Sequence, residues 1–133
     1  MQAPVYFNRT YDETLDLMVE ARNYLTHSEK RERRRLGGLD CLRMSCEAMR
    51  VTSRLTQVMA WLLTQRAVHE GEITAEQALS DESRLSGGDV CLDETFREDQ
   101  ALPNGLRSLM DRSFRLYVRV ARLEAMMLRR VLH

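Results

Sequence analysis

Residues 40–70 constrain the fold of this chain more than any other stretch. The segment is bracketed by Gly37-Gly38 and Gly71, and it carries two apolar stripes at helical spacing. One stripe holds Leu42, Cys46, Met49, Ser53, Thr56, Ala60, Leu63 and Ala67; the other holds Met44, Ala48, Val51, Leu55, Val58 and Leu62. A helix with one apolar face needs one neighbour, and a helix with two predicts packing against two. The segment is therefore expected to be the central helix of a bundle. Gly71 stands where a left-handed C-cap residue belongs.

The two neighbours are legible on either side. "TYDE" at 10–13 reads as a capping box, with Thr10 accepting from the N3 amide and Glu13 reaching back. Tyr11, Leu15, Met18 and Leu25 follow on one stripe, with Leu17, Ala21 and Tyr24 beside it. That run closes on "EKRERRR", which puts cations at the negative end of a helix. Thr74 and Gln77 form a second capping box and open a short helix. A third long run opens at Pro103 and buries Leu106, Met110, Ser113, Tyr117, Val120, Met127 and Val131, widened by Leu109, Leu116 and Leu123. The expected architecture is all-α, an antiparallel three-helix bundle in one domain over residues 1–133. Long helices are expected at about 10–35, 40–70 and 103–131, a short helix at about 74–80, and a long acidic loop at about 81–102.

Charge is balanced in sum and polarised in place. Residues 70–99 carry ten acids and two arginines, whereas residues 100–133 carry seven arginines and two acids. Such a chain can attract itself, a second copy or a partner of either sign. The N-terminus has no basic start followed by an apolar run, and no apolar run approaches the roughly 20 residues of a membrane span. A cytoplasmic protein, not a membrane protein, is expected. Three cysteines, Cys41, Cys46 and Cys91, are too few and odd in number for a disulfide framework.

Chemistry is sparse. "RAVHEGEI" begins like a zinc-protease signature at His69 and Glu70, but position 73 is Ile, so the second ligand is missing. A phosphotransfer role for His69 lacks a supporting lysine nearby. His69 reads better as a last-turn residue facing terminal carbonyls. No nucleophile–base arrangement and no phosphate-binding glycine loop occurs. No enzyme, catalytic residue, metal or cofactor is expected. The candidate partner-docking surface is basic: Arg112, Arg115, Arg119 and Arg122 are spaced three, four and three along one helix face, roughly extended by Arg129 and Arg130. A solvated face is the plain alternative, and the acidic 70–99 segment folding over the stripe is another. A nucleic-acid-binding helical regulator using this face is the competing functional reading, set against a neutral chain and an acidic segment that repels phosphate.

The most specific residues are "MRVTSRLTQVMAWLLTQRAVHEGEITAEQAL" at 49–79, "YDETLDLMVEARNYL" at 11–25 and "LPNGLRSLMDRSFRLYVRVARLE" at 102–124. Together they resemble the regulator of CtrA degradation (RcdA) family of alphaproteobacteria over most of the chain. The resemblance implies a non-catalytic three-helix bundle that acts as an adaptor in regulated proteolysis by the ClpXP protease during the cell cycle. It implies a CpdR-like response regulator that primes the protease, a PopA-like cyclic-di-GMP-binding adaptor, and cargo such as CtrA. It also implies a homodimer, exchange of self-contact for cargo contact, and recruitment to a cell pole through partners. Family members often continue past the last helix as a tail proposed to engage the protease. This sequence stops at His133, so contact through such a tail is not expected here.

Overall fold

The computed structural model describes residues 5–80, 82–95, 99 and 101–132, and it is all-helical, with no strand among the described residues. Helix α1 spans Val5–Asn23, a π-helical turn follows at Tyr24–Ser28, and α2 spans Glu29–Arg33. The central helix α3 spans Gly38–His69, short helices α4 and α5 span Ala75–Ala78 and Gly88–Cys91, and α6 spans Asn104–Leu132. Helix α3 packs against both α1 and α6, which makes it the centre of the bundle.

The first helix departs from its expected start. It begins at Val5, and the capping box at Thr10 is not formed. Thr10 lies inside the helix, 3% exposed, and its carbonyl accepts from Thr14 Oγ1 at 2.7 Å. Tertiary burial replaces the local cap, because Phe7 packs edge-on against Trp61 with ring centroids 5.8 Å apart. The buried row of α1 is Thr10, Thr14, Leu17 and Ala21, continued by Tyr24 of the π-turn, while Leu15 is exposed. Two threonines in that row hide it from a hydrophobicity pattern, which is why the neighbouring stripe looks more apolar. The helical run continues through α2 to Arg33, close to its expected end, with a π-turn inside it. The π-turn inserts one extra residue per turn at 24–28, and Tyr24 stays buried with its hydroxyl donating to Glu32. Burial and the Glu32 bond both push the Tyr24 phenol well above its ordinary value.

The last helix follows its expected stripe. Leu106, Leu109, Met110, Ser113, Leu116, Tyr117 and Val120 are all buried. The side chain of Val131 lies outside the described residues. On α3 only one of the two apolar stripes enters the core: Met44, Val51, Leu55, Val58 and Leu62 are buried, joined by Trp61. The other stripe faces solvent, with Leu42, Met49 and Leu63 at 60%, 71% and 49% exposure. Both expected neighbours, α1 and α6, pack on one broad side of α3, so the seam on the opposite side is left uncovered.

The 81–102 segment is not a featureless loop. Its described part contains α5, buries Cys91 and Leu102, and is bonded to the bundle by side chains. Residues 81, 96–98 and 100 of that expected loop lie outside the described residues.

Candidate functional site

Three features could carry function. The punctuation at residues 66–77 comes first. His69 is the last residue of α3 and packs edge-on against Phe7 at 6.0 Å, while Glu70 pairs with Arg66 at 3.3 Å. Gly71 has φ +76°, a left-handed conformation, and its amide donates to the Val68 carbonyl at 3.1 Å. Thr74 Oγ1 accepts from the Gln77 amide at 3.1 Å, and the Gln77 side chain accepts from the Thr74 amide at 2.8 Å. Among the described residues no cluster of metal-ligating side chains occurs. His69 ends α3 and docks Phe7 of α1 against it, while Glu70 pairs with Arg66 on α3.

The second feature is an anchored strap. Arg54 is 1% exposed. It donates from Nε to the Cys91 carbonyl at 2.8 Å, from Nη2 to the Asp93 carbonyl at 3.1 Å, and from Nη1 to the Met110 carbonyl at 3.2 Å and Ser113 Oγ at 3.3 Å. Its guanidinium also lies 5.3 Å from the Phe114 ring centroid. Arg50 bonds the Val90 carbonyl at 2.8 Å and the Asp93 carboxylate at 3.3 Å, and it pairs with buried Glu47. Burial holds the Glu47 carboxyl above its ordinary value, with Arg50 and Arg54 pulling the other way. Farther along, Tyr117 donates to the Ser86 carbonyl at 2.8 Å, and Glu124 accepts from the Leu85 amide at 2.8 Å. Burial pushes the Tyr117 phenol up to about 12. The acidic segment is therefore fixed to α3 and the adjoining side of α6.

The third feature is the arginine stripe. Arg112, Arg115, Arg119 and Arg122 line an open cleft of about 660 Å³ with Glu13, Leu123 and Met126. The described acidic segment does not reach it; α1 does, and engages two of the four arginines. Arg112 grips Glu20 with both Nη atoms at 2.6 and 3.0 Å, and Arg119 reaches Glu13 at 2.7 Å. The bond from Arg112 holds the Glu20 carboxyl below its ordinary value. Arg112 and Arg119 are seven residues apart, and so are Glu13 and Glu20, as an antiparallel helix pair in register requires. That matched spacing was a sequence signal, and hydrophobic periodicity alone passes over it.

The four arginines therefore divide into two rows. The inner row, Arg112 and Arg119, is engaged by α1. In the outer row Arg115 is 72% exposed and, among the described residues, pairs along its own helix with Asp111 at 3.3 Å. Arg122 and Arg129 are exposed and form no ion pair among the described residues.

This all-helical bundle exposes two long surface features, the uncharged α3 seam and the α6 arginine rows. The chain belongs to the family described as protein of unknown function DUF1465, whose model matches residues 1–133. It is similar to RcdA from Caulobacter crescentus, known from a crystal structure, at 35% identity over 95% of this chain and 92% of that one, with a TM-score of 0.73. At that identity and coverage the chain shares the family of RcdA, and the family expected from the sequence motifs stands. No curated protein matches the chain. No described helix is long and apolar enough to cross a membrane.

Proposed function

We propose that this protein is a non-enzymatic adaptor that helps deliver cargo such as CtrA to the ClpXP protease, alongside a CpdR-like response regulator and a PopA-like adaptor. The observation that carries the reading is the likeness to RcdA along nearly the whole chain. The exposed arginines of α6 support it, because planar guanidinium groups on a rigid helix suit carboxylate recognition. On this reading Arg112, Arg115, Arg119 and Arg122 form the partner-docking surface, with Arg115 and Arg122 available to a partner and Arg112 and Arg119 tied to α1. Arg115→Glu with Arg122→Glu is expected to slow delivery of a cargo to reconstituted ClpXP while helicity is kept. Unchanged degradation rates remove that surface from the mechanism. The nucleic-acid reading is weaker, since Glu13 and Glu20 neutralise half the stripe. The protein acts in the cytoplasm and reaches a cell pole through its partners.

A homodimer forms part of the same reading, and the uncovered α3 seam is its natural interface. The seam's steps of four and three read the same in both directions. Two copies crossing antiparallel set Leu42 opposite Ala67, Cys46 opposite Leu63, Met49 opposite Ala60 and Ser53 opposite Thr56. Each large side chain meets a small one, as close helix packing needs. A Leu63→Cys variant is then expected to form a disulfide between Cys46 of one copy and position 63 of the other under mild oxidation. The link should vanish when Cys46→Ser is added. Crosslinking of wild-type Cys46 to itself points instead to a parallel pair.

A further inference from the structure

The two arginine rows of α6 have the same repeat but different fates. The inner row meets a ready-made partner: α1, an amphipathic helix whose Glu13 and Glu20 stand seven residues apart. The outer row, Arg115, Arg122 and Arg129, repeats that seven-residue spacing, about 10.5 Å per step along the helix. It runs beside Met126, which is 46% exposed, so the strip is basic with an apolar contact inside it.

We propose that this outer row is a docking strip for a second acidic amphipathic helix, supplied by a partner protein and built like α1: carboxylates every seven residues and an apolar side chain between them. The identity of that partner as cargo rests on the adaptor reading, while the binding chemistry does not. Charge complementarity selects the occupant. The inner pairs demonstrate the recognition on this same helix, in the geometry an outer helix would use. The chain's described acidic segment is not available, because it is held by Arg50 and Arg54 on α3. Nucleic acid fits less well: Glu13, Glu20 and Asp111 lie along the same face, and Met126 has nothing to gain from phosphate.

The test uses the full chain without protease. The probes are a fluorescent helical peptide with Glu at seven-residue intervals and Leu between, a scrambled peptide of equal composition, and a short DNA duplex. Anisotropy titration is expected to favour the in-register peptide over the scrambled one and over DNA. Reversing Arg115, Arg122 and Arg129 to Glu is expected to weaken the in-register peptide by roughly tenfold, three exposed ion pairs being modest singly and cumulative together. A peptide with Lys in place of Glu should recover binding to that variant. Equal binding of both peptides, tighter binding of DNA, or an unchanged affinity in the variant overturns the proposal. If the triple variant loses helicity, Arg122→Gln is read instead, with roughly a two- to threefold loss expected. Failure of ClpXP delivery leaves this strip standing, and failure of peptide binding leaves the adaptor reading to be carried by another surface.

Discussion

Replacing Arg54 by Ala is expected to destabilise the fold by about 3–5 kcal/mol, measured by chemical denaturation. The residue is 1% exposed and donates to carbonyls on two separate elements, the strap at Cys91 and Asp93 and helix α6 at Met110. Truncation removes these charge-assisted bonds and strands buried acceptors without water, which costs more than the bonds contribute net. It also leaves Glu47, 2% exposed, with one cation fewer beside it. Lysine is expected to rescue little, because a point charge cannot reach several acceptors in a fork. Amide exchange should rise first in residues 85–95, where the strap detaches. A loss below about 1 kcal/mol, with exchange unchanged, contradicts the anchoring role.

Replacing Trp61 by Ala is expected to cost a similar amount, about 3–5 kcal/mol, through lost burial and the cavity left behind. Trp61 is 2% exposed and forms the platform for Phe7, which also touches His69. The effect should spread along α1 from its first turns, where Phe7 makes this contact. Trp61→Phe keeps the edge contact in part and should lose about 1.5 kcal/mol or less. Proteolysis near residues 5–14 reports the difference: rapid cleavage in Trp61→Ala is expected, and protection equal to wild type contradicts the docking account.

These residues also mark where the sequence was and was not transparent. Helix α6 reads directly, because its buried positions are apolar at regular spacing. The stop at Gly71 and the box at Thr74 are equally direct, since local hydrogen bonds decide them. Helix α1 misleads. Its buried row includes Thr10 and Thr14, and a local capping signal loses to a distant aromatic contact. The two stripes of α3 are real, but spacing cannot tell a stripe that meets this chain from one that faces solvent. The strap is invisible in hydrophobic periodicity. Arg54 reads as one more arginine among many, and only tertiary structure reveals it as a buried anchor. The arginine stripe of the candidate site was legible as one face, whereas its division into engaged and open rows needed the position of α1.

Reconstituted degradation tests the central claim most directly. ClpXP, a CpdR-like response regulator and a cargo such as CtrA, with a PopA-like adaptor and its cyclic nucleotide where the cargo requires them, are followed with and without this protein. The adaptor account predicts faster cargo loss when the protein is added, dependent on the response regulator. It also predicts a smaller acceleration for Arg115→Glu/Arg122→Glu. Cargo loss that proceeds at the same rate in its presence and absence, with every other component shown to be active, contradicts the account.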